Sequence, residues 1–130
     1  MVNLVIDTSA VVAIVAQEVE ADAFTAIMAS ATRRIMTSVN LLEARLVLSF
    51  GKGLVPETVP DFLIRERIDI VPFDEPLSDL AFEAYGRYGK GHHPARLNMG
   101  DCAAYALAKA RGWPLLYKGD DFSETDIERA

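Results

Sequence analysis

Short runs of consecutive apolar residues alternate along the chain with longer segments whose apolar positions recur every three or four residues. Val2-Asn3-Leu4-Val5-Ile6 is nearly continuous and β-branched, which is how a strand buried on both faces reads. Arg34–Thr37, Ile68–Pro72 and Leu115–Lys118 are further strand-like runs. The spacing between them predicts six helices. The first runs from Ala10 to about Gln17 and is capped by Thr8 or Ser9; the second runs from about Glu20 to Ala31. A third is capped by Ser38 or Asn40 and reaches about Phe50, where Gly51-Lys52-Gly53 breaks the chain. Pro56 suits the first turn of a fourth, to about Arg67; Pro76 starts a fifth, to Tyr88. Gly89 to Pro94 is a loop, Gly100–Arg111 is the sixth helix, and a short amphipathic segment follows from Ser123. Strands alternating with helices predict an α/β fold in one domain over 1–130: a central parallel sheet of four to five strands with helices on both faces. In such sheets the site forms beyond the carboxyl ends of the strands.

Four acids stand where these elements begin or end. Asp7 closes the first strand, and Asp121 follows Pro114-Leu115-Leu116-Tyr117. Asp101 opens a helix rich in alanine, and Glu43 lies on a face with Val39, Leu42, Leu46, Val47 and Phe50, which reads as the core-facing stripe. Each has a bland reading beside it. Asp7 can cap the helix that follows, although Thr8 or Ser9 suffices for that; Asn40 with Glu43, and Asn98 with Asp101, have capping-box spacing. For Asp101 the cap and a ligand role are compatible. Asp120 and Asp121 are neighbours, and an extended backbone turns only one into a cleft; Asp121 is the choice, with Phe122 anchoring the turn. Burial and mutual repulsion both disfavour a set of charged carboxylates, so a cation is the natural partner. An all-oxygen donor set points to magnesium, with manganese as the alternative.

The charge balance first argues against a polyanionic partner, because the net charge is −6. Its distribution changes that picture. Between Ala84 and Lys118 the basic residues are Arg87, Lys90, Arg96, Lys109, Arg111 and Lys118, and the only acid is Asp101. The segment carries +5 and the rest of the chain −11, a pattern that suits a phosphate-binding rim around a metal site as readily as a solvated face. A single cysteine, Cys102, rules out an internal disulfide and suggests a reducing compartment. No signal-like segment precedes the first strand, and the longest apolar stretch, Ala10 to Ala16, is too short to span a bilayer. A cytoplasmic protein without membrane contact is expected. Cys102 reads as a small core residue, and the pair His92-His93 lacks spaced partners for zinc, leaving it as loop polarity that can face phosphate. Tyr85 and Tyr88 read as packing, with base stacking beside their basic neighbours as the alternative.

Taken together, Val5-Ile6-Asp7-Thr8-Ser9-Ala10, Leu42-Glu43, Tyr88-Gly89-Lys90-Gly91, Leu97 to Cys102, Pro114 to Phe122 and Thr125-Asp126-Ile127 carry a family resemblance. The chain resembles the PIN-domain ribonucleases, specifically the VapC toxins of toxin–antitoxin pairs, over essentially its whole length. The resemblance implies a single PIN-like domain and a magnesium- or manganese-dependent endoribonuclease that arrests growth. It also implies a homodimer and a cognate VapB-type antitoxin that masks the site. Asp7, Glu43, Asp101 and Asp121 would be the metal-binding carboxylates, with Thr8 or Ser9 and Asn98 supporting them. The residues independently suit hydrolysis by a metal-activated water, in-line, leaving a 5′-phosphate and a 3′-hydroxyl. Arg87, Lys90, Arg96 and Lys118 are candidates to position the RNA backbone. An aspartyl-phosphate phosphatase would want an aspartate where Ser9 stands, and a dinucleotide fold would want a glycine-rich turn after the first strand. The rival from another class is a catalytically silent module of the same fold that only binds RNA or a protein.

Overall fold

A computed structural model of the chain describes residues 2–91 and 93–130. Among these the sheet has four strands, all parallel: β1 (Val2–Ile6), β2 (Ala31–Thr37), β3 (Ile68–Val71) and β4 (Leu115–Leu116), in the order β3-β2-β1-β4. The expected α/β sheet is therefore present. The helices are α1 (Thr8–Val15), α2 (Ala21–Ser30), α3 (Ser38–Arg45), α4 (Thr58–Arg65), α5 (Glu75–Tyr88) and α6 (Met99–Arg111). Alternation along the strands divides the core. Val5, Ile35 and Leu115 face α5 and α6, whereas Leu4, Ile6, Met36 and Leu116 face residues of α1 to α4. Both faces are covered, which is why β1 shows no polar alternation. No helix among the described residues is long and apolar enough to cross a membrane.

Several ends differ from the sequence reading for identifiable reasons. Helix α1 starts at Thr8 because Asp7 is its cap: the Asp7 Oδ2 accepts from the Ser9 N–H at 3.0 Å. Helix α3 is capped by Thr37, whose hydroxyl oxygen accepts from the Asn40 N–H, and not by Ser38 or Asn40. It ends at Arg45 and continues to Gly51 as a wider π-helical coil, so no uninterrupted α-helix reaches Phe50. Strand β4 stops after two residues because the Lys118 N–H bonds to the Ser9 hydroxyl. The segment from Ser123 is a series of turns rather than an amphipathic element. Its end pairs with β4 through a parallel bridge between Leu115 and Arg129, covering that edge of the sheet.

The strand order reverses direction between β1 and β4, so a crevice opens at their carboxyl ends. Chain segments leaving β1, β2 and β4 meet there, together with the first turn of α6.

Candidate active site

Asp7, Glu43 and Asp101 line one cleft of about 330 Å³ with Thr8, Ser9, Val12, Glu18, Val47 and Lys118. They come from the end of β1, the middle of α3 and the first turn of α6. Asp121 is exposed just beyond the lining, close enough for its charge to bear on Asp101. The neighbouring Asp120 is exposed too, and its carbonyl accepts from Ser123. Phe122 is buried edge-on against Tyr117 with ring centroids 4.9 Å apart, the anchor expected for this turn. As they stand, no three acids, histidines or cysteines among the described residues form a group that would hold an ion.

Hydrogen bonds fix two of the acids. Ser9 donates to Asp7 Oδ2 through both its N–H and its hydroxyl, the latter at 2.5 Å, while its oxygen accepts from the Lys118 N–H. Ser9 thus ties the end of β1 to the end of β4. Asp101 closes a capping box: its N–H donates to Asn98 Oδ1 at 2.9 Å, and the Asn98 N–H donates to Asp101 Oδ2 at 3.0 Å. The capping reading of both aspartates is therefore correct without removing either from the cleft. Thr8 is buried, with its hydroxyl donating to the Asn40 carbonyl.

Glu43 reaches the cleft by a different route from the expected one. The face of α3 and its π-helical continuation that enters the core is Asn40, Ala44 and Leu48, all fully buried. The supposed core stripe instead faces solvent: Leu42 is 58 % exposed and Phe50 87 %. Glu43 lies between the two faces, against the start of α6. A Cβ on Gly100 would stand 2.6 and 2.7 Å from the two Glu43 carboxylate oxygens, so any larger residue there would push that carboxylate from its present place.

Burial raises the Asp7 carboxyl from 3.8 to about 6, against the opposing pull of the Ser9 hydrogen bonds and with a further push from Glu43. Asp101 rises from 3.8 to about 7, first by desolvation and then by the negative charges of Asp7, Asp121 and Glu43, partly countered by the Asn98 N–H. Both folded forms bind a proton more tightly than the unfolded chain. Stability from these groups is therefore full below about pH 4 and is lost as the pH rises through 6 and 7. For Asp7 the loss is about 3 kcal/mol, taking about 1.4 kcal/mol per pH unit. Protein stripped of divalent ions is expected to melt several degrees lower at pH 8 than at pH 5. An equal or higher melting temperature at pH 8 would contradict this account.

The basic residues do not form one strip. Lys90 and Arg96 line an open groove with Gly91, His93 and Pro94. His93 Nδ1 accepts from the Ala95 N–H, and its ring meets Tyr88 edge-on; His92 lies outside the described residues. Arg87 turns instead over the Tyr88 ring and donates to its hydroxyl at 2.9 Å. Lys109 pairs with Asp126 at 2.7 Å and Arg111 stacks on Trp113. Both lie toward the far end of α6, about 12 Å or more along the helix from Asp101 at 1.5 Å per residue. Lys118 enters the acid cleft, where its ammonium meets Glu18 at 3.0 Å and Glu20 at 3.5 Å. Linear clustering of charge was a poor guide because a helix carries its residues away from the site. Asn40, Gly100 and Glu18 were not foreseen at the site. Asn40 alone left a trace, as a polar residue one turn before Ala44 on the buried face.

The PIN domain family model matches residues 4–128. The VapC ribonuclease Mb0640 of Mycobacterium bovis is 43 % identical over 125 residues, covering 95 % of each chain. Two solved structures share the fold: VapC20 of Mycobacterium tuberculosis, described as a sarcin–ricin-loop-cleaving toxin, and the DNA-bound VapBC of Salmonella typhimurium. Their TM-scores are 0.78 and 0.68 at 18 % and 16 % identity. The matches cover 98 % of this chain and of VapC20, and 99 % of this chain with 96 % of the Salmonella chain.

Proposed function

The chain belongs to the PIN-domain family, and on that premise we propose that it is a VapC-type endoribonuclease, the toxin of a toxin–antitoxin pair, dependent on a divalent cation. One observation carries the reading. Carboxylates from three separate elements converge on a single cleft, with a fourth beside it, and burial and mutual repulsion hold two of them well above the ordinary range. A fold needs no such arrangement for its own stability.

The donor set fits magnesium or manganese in kind, being entirely carboxylate oxygen; the acids would draw together from their present separation to bind the ion, and glycine at position 100 makes room for one of those carboxylates. Asp7, Glu43 and Asp101 would hold the ion, with Asp121 completing the set from the rim. When bound, such an ion lowers the pKa of water and offsets charge developing on a phosphodiester. The chain's own residues prepare the rest. Ser9 holds Asp7 with two hydrogen bonds, and Asn98 holds Asp101 through the cap. Glu18 and Glu20 hold the Lys118 ammonium at the cleft, a positive charge set among acids. Lys90 and Arg96 are the pair best placed to take RNA phosphates; Arg87 packs elsewhere.

An antitoxin would dock where apolar surface and cleft meet. Leu42, Leu46 and Phe50 are exposed, and neighbouring Val47 also lines the acid cleft, so one partner covering this row would mask the site. A second copy of the chain would suit the apolar groove of about 270 Å³ between α5 and α6, which includes Phe82 and Met99. Action on RNA beside a cognate antitoxin fits a cytoplasmic setting.

Incubation of the purified protein with single-stranded RNA tests the activity. Cleavage is expected with Mg²⁺ or Mn²⁺, with new 5′-phosphate ends, and none is expected in EDTA. Cleavage that persists undiminished in EDTA, or none with either ion, would reject the reading.

A further inference from the structure

We propose that Asn40 is a positioning residue for the acid site, its buried side chain setting the distances between the elements that carry Asp7, Glu43 and Asp101; the inference rests on the metal-site reading above. Asn40 is fully buried, and its hydrogen-bonding capacity is spent on three different parts of the chain. Its Oδ1 accepts from the Thr37 hydroxyl at 2.6 Å, at the end of β2. Its Nδ2 donates to the Thr8 hydroxyl at 3.3 Å and to the Gly100 carbonyl at 3.0 Å. A carbonyl can only accept, so the amide orientation follows from Gly100.

The neighbours of those contacts are the site acids. Thr8 follows Asp7, Gly100 precedes Asp101, and Glu43 lies one helical turn beyond Asn40 on α3. One side chain therefore touches the residue next to each of two aspartates and stands on the same helix as the glutamate. The bond to Gly100 also governs the close approach at which a Cβ would strike the Glu43 carboxylate. Packing alone does not require an amide here, since an apolar side chain of similar volume would avoid the cost of burying polar atoms. Groups bonded directly to metal ligands typically alter affinity by about 10- to 100-fold; Asn40 acts one residue further back, through Thr8 and Gly100, so the low end of that range applies.

Calorimetric titration with Mn²⁺ in the absence of RNA, at a temperature where every variant is folded, provides the test. Asn40→Ala is expected to weaken Mn²⁺ binding about tenfold or more. Thr37→Val removes the helix cap and the hydroxyl bond to Asn40 Oδ1, but keeps the Asn40 bonds to Thr8 and Gly100, the contacts beside Asp7 and Asp101; β2 carries no site acid. It is expected to lower the melting temperature while leaving Mn²⁺ affinity within about threefold of wild type, well short of that range. Should Asn40→Ala not fold, Asn40→Ser is titrated in its place with the same expectation. Affinity within about threefold of wild type in the Asn40 variant, or an equal loss in Thr37→Val, overturns the inference while leaving the site assignment standing. Wild-type protein that binds no Mn²⁺ overturns the metal-site reading and this inference with it.

Discussion

Asp7→Asn is expected to lower RNA cleavage about a thousandfold and, in protein free of divalent ions, to raise the melting temperature by roughly 5 °C at pH 8. The two effects have one cause. Asp7 is 4 % exposed and its carboxyl is raised to about 6, so its negative charge is held at pH 8 against the preference of its surroundings. Asparagine keeps the shape and an oxygen that can accept from Ser9, but carries no charge to desolvate. The gain in stability can approach the pH-linked cost already assigned to Asp7, and it should shrink toward pH 5 as the wild-type carboxyl becomes protonated. The loss of activity follows because an amide is a poorer ligand for a hard cation than a carboxylate. A cleavage assay in Mg²⁺ and a thermal melt in EDTA, each at pH 8, read both sides. Wild-type cleavage by Asp7→Asn, or a lower melting temperature in EDTA, would refute the assignment.

The second large effect is expected from Gly100→Ala, a change that ordinarily favours a helix. The new Cβ would meet the Glu43 carboxylate at 2.6–2.9 Å, and the atoms it meets are the far end of a flexible side chain. Glu43 can swing away, so the backbone need not move and the fold should survive with little change in melting temperature. Displacing a ligand by about 1 Å can cost about a hundredfold in rate, and a loss of that order is expected here. Added Mn²⁺ should then raise the melting temperature less than in wild type, through weaker linkage. Gly100→Ala protein that cleaves RNA like wild type would show that Glu43 has no part in the reaction. One that fails to fold would show that the contact is less yielding than its chemistry suggests.

The convergence of Asp7 and Asp101 on one cleft is legible in the sequence, and the reasons are local. β1 is continuous and β-branched, α6 is packed with alanine, and Asp7 and Asp101 sit at the junctions where a parallel sheet places its ligands. What could not be read depends on pairs remote in sequence. Helix α3 carries two rows that both look like a buried face, and the apolar row of Leu42, Leu46 and Phe50 lost to one containing asparagine. Asn40 wins because its amide is satisfied from residues 32 and 60 positions away, a fact that no periodicity encodes. The pairing of Lys118 is likewise invisible in the sequence, because its partners, Glu18 and Glu20, lie about a hundred residues earlier. The early end of β4 has the same origin, since the Lys118 N–H is taken by Ser9 rather than by a neighbouring strand.

The double duty of Asp7 and Asp101 as helix caps has a further consequence for which substitutions evolution can tolerate. Each carboxylate reaches a backbone N–H at the start of its helix across a single methylene, and the same short reach leaves it in the cleft. Glutamate carries the same charge on a longer arm. At position 7 that arm would give up the bond to Ser9 or the cleft; at position 101 a capping box takes glutamate readily, so there the cleft and not the cap sets the length. Side-chain length at position 7 is therefore set by the folding of α1 as much as by the chemistry. The helices and the cleft form together, and a chain that has wound its first turns correctly has already placed two of the cleft's acids.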